Sequence, residues 1–159
     1  MYEHLLVGLD GSPAAERVLE HAEALPRAFG STVTLLRATV AAETLMAETA
    51  APATSAGDVG LIVDPTPIIE ADRAEAIEYL NGIAERLRQH NLTVHTEHPE
   101  GPAADEIVER ATALGVSLIL LTTHGRSGLG RLVFGSVADS VLRHAPCPVL
   151  IVRVHEDSA

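Results

Sequence analysis

Val116-Ser-Leu-Ile-Leu-Leu-Thr-Thr-His-Gly125, continued by Arg126-Ser-Gly128-Leu-Gly130-Arg-Leu-Val-Phe-Gly135-Ser136-Val137, is the stretch on which the fold turns. Val116 to Leu121 is an apolar run of strand length, the most apolar in the chain. Thr122 to Val137 is a glycine-rich loop. A helical pattern then opens at Ser136, with Val137, Val141 and Leu142 on it. Strand, glycine-rich loop and helix in that order are the repeating unit of a parallel α/β sheet.

The same alternation runs outward in both directions. Upstream, Leu5-Leu6-Val7-Gly8-Leu9 reads as a buried strand, with Asp10-Gly11-Ser12-Pro13 behind it. Ser12 suits an N-cap and Pro13 a first helical position. The helix carries Ala15, Val18, Leu19, Ala22 and Leu25, and Pro26 and Gly30 bracket its end. Val33 to about Val40 forms a second strand. From Asp72 to about His90 a helical period places Ile77, Leu80, Ile83, Ala84 and Leu87 on one face. Leu92 to Thr96 is a third, more polar strand nearer an edge. Gly101-Pro102 opens a helix with Ile107, Val108, Ala111 and Leu114 as its buried stripe, Asp105 and Glu106 in its first turn, and Gly115 at its end. Downstream, Ala145-Pro146 stops the last helix and Val149 to Val152 is a fifth strand.

Between the second strand and Asp72 lie roughly thirty residues, 41–72, without a clear period and with three prolines. A loop longer than about 15 residues is unusual inside a compact domain. The expectation is a single domain over 1–159 with a long flexible insertion at about 41–72, in which Thr44–Thr49 is compatible with a short helix.

Composition narrows the function. The chain has 159 residues, enough for one core, and 47% of them are apolar against 3% aromatic. Such a core is made of Val, Leu, Ile and Ala, as parallel strands buried on both faces require. The net charge of −11 repels nucleic-acid backbones and anionic lipid, so neither is an expected partner. One cysteine, Cys147, precludes an intrachain disulfide and reads as a buried, inert thiol. No signal peptide and no membrane span is readable, and the expected location is the cytoplasm. His95 and His98 need not share a strand face, and none of the eight histidines enters a convincing zinc pattern. No nucleophile, base and orienting group form a readable trio.

The loop has two readings. Glycines bring backbone N–H groups close to an anion, and the helix opening near Ser136 offers further N–H groups at its positive end. That arrangement can hold a diphosphate or triphosphate without catalytic side chains. Alternatively the glycines only make the turn, and Ser136 with Asp139 forms a capping box that serves its own helix. Neither the Walker spacing nor Gly-x-Gly-x-x-Gly after a first strand is present.

Three segments, Leu5–Ser12 (LLVGLDGS), His124–Val137 (HGRSGLGRLVFGSV) and Ala145–Val152 (APCPVLIV), together resemble the universal stress proteins of the UspA superfamily. The resemblance spans nearly the whole chain. It implies an open five-stranded parallel sheet in the order 3-2-1-4-5 with helices on both faces, Rossmann-like and similar to the adenine nucleotide alpha hydrolases. The topological switch then falls between the first and fourth strands, where open α/β sheets take their ligands. The ATP-binding branch carries Gly, two residues, Gly, nine residues, then Gly and Ser or Thr. Here Gly125, Gly135 and Ser136 match, and Thr122 stands where the first glycine would be. A side chain there narrows the backbone approach, or its hydroxyl donates a hydrogen bond.

By that resemblance Gly8, Leu9 and Asp10 end the first strand beside the adenosine, with Asp10 bonded to sugar or base; Asp10 can equally just shape its turn. Ala38 would face the adenine, and Leu121, Thr122 and Thr123 would line base and ribose. Gly125, Gly135, Ser136 and Val137 would hold phosphates, with His124 and Gly128 in the same loop. Arg126 reaches a terminal phosphate or is a solvated surface arginine. The implied cofactor is ATP, with Mg2+ arriving on the phosphates it bridges. The expected function is nucleotide-dependent regulation of a stress response, with slow hydrolysis at most. AMP or a cyclic nucleotide is the second reading, and an interaction module without nucleotide the third. The family also pairs the strand Val149–Val152 with its copy, which implies a homodimer and covers an otherwise apolar edge.

Overall fold

The computed structural model describes residues 1–49, 64–125 and 135–155. Five parallel strands, β1 (His4–Gly8), β2 (Thr32–Leu36), β3 (Val94–Glu97), β4 (Leu118–Gly125) and β5 (Val149–His155), form one sheet in the order β3-β2-β1-β4-β5. β1 is central, with Leu5 opposite Val33 on one side and Leu118 on the other. The five described helices are α1 (Leu19–Phe29), α2 (Ala42–Thr49), α3 (Thr66–Arg88), α4 (Ala103–Ala113) and α5 (Ser136–His144). No helix among the described residues is long and apolar enough to cross a membrane.

Alternate residues of each strand face opposite sides, which divides the core in two. Leu5, Val7, Val33, Leu35, Leu118 and Leu120 pack under Ala22 of α1 and Leu80, Ile83, Ala84 and Leu87 of α3. Leu6, Leu36, Ile119 and Leu121 pack under Ile107 and Ala111 of α4 and Val141 of α5. Two residues expected in helix stripes lie outside them: Ile77 and Leu114 are 36% and 38% exposed. Leu114 is the C-cap of α4 rather than part of its face. Cys147 is half-buried against the second core, and burial pushes its thiol pKa up.

Element boundaries shift for local reasons. Ser12 Oγ accepts the Ala15 N–H at 3.1 Å as an N-cap should. The chain behind it first makes a 3-10 turn, Ala15–Val18, before α1 begins. Pro26 does not stop α1 but lies in its last turns, and Gly30, at φ +70°, closes it with an N–H to the Pro26 carbonyl at 2.8 Å. β2 ends at Leu36 rather than near Val40, although Thr39 still bridges to Glu100. α3 starts at Thr66, earlier than the expected Asp72. The Asp64 carboxylate accepts the Thr66 N–H at 3.0 Å and Pro67 presets the first turn, so prolines that read as loop residues begin a helix. Within the expected insertion, Ala42–Thr49 is helical, and residues 50–63 lie outside the described residues.

α4 ends in a Schellman motif. Gly115, at φ +61°, donates to Thr112, and Val116 donates to the Ala111 carbonyl at 2.9 Å. Gly82, exposed within α3, has open space where a side chain would stand. Gly115→Ala is therefore expected to lose about 1–2 kcal/mol of stability, and Gly82→Ala to gain about 0.5–1 kcal/mol. Urea denaturation of the two variants beside the parent chain measures both signs.

Candidate functional site

α1 and α3 lie on one face of the sheet and α4 and α5 on the other, so the chain leaves β1 and β4 on opposite sides. A cleft of about 200 Å³ opens between their carboxyl ends, lined by Gly8, Leu9, Asp10, Thr122, Thr123 and the Gly135–Ala138 turn of α5, among others. It is the topological switch point of the sheet. A larger hollow of about 580 Å³, lined by His4, Thr34, His95 and Glu97, lies over the face of β2 and β3 that α4 leaves uncovered. Volume alone would favour that hollow; the convergence of strand ends and a helix N-terminus favours the cleft.

Most of the expected residues converge here. Leu121 is buried at the floor, Thr123 is buried at the wall and Thr122 is half-buried beside it. Gly125 ends β4 opposite His155, with His124 opposite Val154. Ala38 lies beyond the end of β2, half-buried, and does not line the cleft. Arg126 and Gly128 lie outside the described residues. The sequence reading missed Ala15, Ala103, Ile107 and Ala138, which complete the wall. Ala103 could have been anticipated: it starts the helix behind Gly101-Pro102, and helix starts gather at this end of a parallel sheet.

The two wall glycines do different things. A methyl group on Gly8 would collide with Leu121 Cδ2 and stand 3.1 Å from Ile107 Cδ1, so Gly8 is a packing glycine. Its missing side chain lets the two core residues close the cleft floor. Gly135 has no described atom within 4 Å of such a methyl group, and its φ of −51° suits any residue. The fold among the described residues makes no demand for glycine there, and none of them fills the space in front of it.

The expected capping box is absent. Gly135, not Ser136, is the N-cap of α5, and no side-chain cap hydrogen bond is made there among the described residues. Asp139 instead reaches forward to Arg143, with Arg143 Nε donating to Oδ2 at 3.0 Å. Ser136, already inside the helix, keeps its hydroxyl at the cleft wall. The first-turn N–H groups of a helix have no partners within it and carry its positive end. Across the cleft stands Asp10, whose Oδ1 accepts the Ser12 N–H at 2.9 Å. The turn-shaping role of Asp10 is thus real, and its second oxygen makes no hydrogen bond among the described residues. One end of the cleft suits an anion and the other suits donor hydroxyls or amines. Among the described residues no group of three or more His, Cys, Asp or Glu side chains could hold a metal ion.

The universal stress protein family model matches residues 1–153. The chain belongs to this family. It is 29% identical to universal stress protein YxiE of Bacillus subtilis over 157 residues, 96% of this chain and all of that one. With universal stress protein MJ0531 of Methanocaldococcus jannaschii it shares 40% identity over 86 residues, 54% of this chain and 51% of that protein's length. Among solved structures, the hypothetical protein MJ0577 superposes with a TM-score of 0.78 at 25% identity, covering 99% of both chains. A universal stress protein in complex with cAMP gives 0.67 at 20% identity, covering 96% of this chain and 97% of that one. An Arabidopsis thaliana family member with AMP bound gives 0.65 at 14% identity, covering 97% and 93%. The last two likenesses concern the fold.

The glycines of this universal stress protein separate packing from ligand space. Gly8→Ala is expected to cost about 1–3 kcal/mol through overpacking at the cleft floor. At Gly135→Ala a stiffer unfolded chain and a poorer N-cap oppose each other, leaving stability within about 0.5 kcal/mol of the parent. Urea denaturation without ligand reads both.

Proposed function

We propose that the cleft binds an adenine nucleotide, ATP with Mg2+ foremost, and that this universal stress protein acts as a nucleotide-dependent regulator in a stress response. The first turn of α5, uncapped and unobstructed before Gly135 among the described residues, carries the reading. Phosphates would lie on that turn, held by backbone N–H groups and the Ser136 hydroxyl. Asp10, Leu121, Thr122 and Thr123 would face the nucleoside. Gly125, His124, Arg126 and Gly128 belong to the same proposed phosphate loop. Mg2+ would bridge phosphate oxygens, with water completing its shell. Asp10 is the sole ionisable group among the described lining residues, which supports binding rather than turnover.

Thr122 supports a second reading. The cleft's 200 Å³ is below the roughly 300 Å³ typical of small-molecule pockets, and the threonine in place of the family's first glycine takes up part of the space. AMP or a cyclic nucleotide makes a smaller demand, and the fold accommodates both in the two nucleotide-bound relatives. Equilibrium dialysis against ATP, AMP, cAMP and adenosine ranks them. Absence of binding by any at millimolar concentration leaves an interaction module without nucleotide. Gly135→Asp places a carboxylate where the phosphates would lie while supplying a good N-cap. It is expected to weaken ATP at least about tenfold through charge repulsion and to leave adenosine unaffected.

We also propose a homodimer through β5. The two sheet edges differ. Thr93 and Glu97 carbonyls bond to β2, so the Val94 carbonyl between them points outward. Arg88 donates to it from Nη2 at 2.6 Å, so that edge has one of its outward acceptors already taken. β5 pairs with β4 alone among the described strands and carries the half-buried run Val149–Val152. Light scattering on a sizing column is expected to give twice the chain mass for the parent, and the monomer mass for Ile151→Lys. A monomeric parent at micromolar concentration refutes the pairing.

A further inference from the structure

We propose that Arg37 is the positioning residue of the cleft: its guanidinium, held by three residues of α3, props the Asp10–Gly11 turn and so aims the Asp10 carboxylate. The inference rests on the nucleotide reading above. Arg37 is the first residue past β2, at the same end of the sheet as Gly8. Its side chain is only 11% exposed. Nη1 and Nη2 each stand 3.2 Å from Glu75 Oε1, and Nη2 is 3.5 Å from Asp72 Oδ1. The guanidinium carbon lies 5.7 Å from the centre of the Tyr79 ring. Residues 72, 75 and 79 share one helix face. A planar cation both forked onto carboxylates and set over an aromatic ring is a task for arginine rather than lysine.

The guanidinium also meets the cleft turn. A methyl group on Gly11 would stand 3.2 Å from Nη1 and 3.4 Å from the guanidinium carbon. Gly11 has φ +84°, so the turn needs glycine for its backbone as well as for this approach. Across that turn Ser12 N–H bonds Asp10 Oδ1, which links the position of Gly11 to that of the carboxylate. Asp72 contributes twice, since its Oδ2 also accepts the Val40 N–H at 2.8 Å and fixes the chain leaving Arg37. The Tyr79 hydroxyl is buried without a hydrogen-bond partner among the described residues, and Glu16 stands near enough to act on it. Its pKa is pushed up to about 12, by burial first and then by the charges of Glu16 and Asp10, which puts Asp10 within electrostatic reach of the cluster.

The acids of α3 have a second effect. An arginine packed against Gly11, the residue next to Asp10, would be expected to capture that carboxylate. Among the described residues Asp10 makes no ion pair, and Arg37 is engaged by Asp72 and Glu75. The cation thus supports the turn without occupying the carboxylate that faces the cleft.

Calorimetric titration of the full chain with adenosine, ATP and inorganic triphosphate tests this. Arg37→Met is expected to weaken adenosine and ATP about tenfold, as for directly coupled residues, and to leave triphosphate unchanged. Asp10→Asn is expected to show the same pattern, and the double variant little more than Asp10→Asn alone. Asp72→Asn with Glu75→Gln should reproduce the loss with Arg37 intact, because the released guanidinium turns to Asp10. That variant carries the test if Arg37→Met does not fold. Equal loss of triphosphate and adenosine, unchanged adenosine affinity, or additivity with Asp10→Asn overturns the proposal while leaving the nucleotide reading standing. A parent chain that binds none of the three probes overturns both.

Discussion

β1 must pair on both sides at once, and the cleft is the result. Its neighbours β2 and β4 are reached by crossovers that cover opposite faces of the sheet, as right-handed connections around a central strand require. Among the described residues no element then crosses the gap between the ends of β1 and β4. Gly8 is the last residue to pair in β1, and Leu121 and Ile107 close over it to make a dry floor. Hydrophobic packing ends there, and the polar groups beyond it are free to meet a ligand.

The site works against the field of the molecule around it. A net charge of −11 disfavours any phosphate at long range. Attraction has to come at contact distance, from backbone dipoles that carry no formal charge. The pairing of Asp139 with Arg143 matters for this reason. A carboxylate folded back over the first turn of α5 would have satisfied its N–H groups and cancelled its positive end; bonded one turn along, it does neither.

Strand existence was legible because buried parallel strands leave uninterrupted apolar runs, such as Leu118–Leu121. The sheet order was legible through family resemblance, since periodicity carries no information on which strands are neighbours. What escaped depended on tertiary contact. Asp72 read as a helix start because the helical period becomes clear only from there, whereas its place is set by Arg37 and Val40, which are distant in sequence. Ala38 was placed at the adenine by family resemblance; it lies past the end of β2 and outside the lining of the cleft. Ile107 read as core and is also cleft wall, since one side chain faces both. Thr122 and Gly135 were identified from the glycine pattern of the family it resembles, but the space that the described residues leave at Gly135 and the absence of the capping box are visible only in three dimensions.

The hydrogen bond from Arg88 to the Val94 carbonyl has a consequence for assembly. A parallel sheet with two receptive edges can add copies head to tail without limit, because nothing in the geometry tells the series to stop. With the Val94 carbonyl already taken by the protein's own guanidinium, a strand arriving at β3 has first to displace Arg88, a cost that the β5 edge does not carry among the described residues. Strand addition is therefore biased toward β5, and a pairing there uses the favoured edge of both participants. The arginine at the far end of the sheet thus works against open-ended growth without touching the interface.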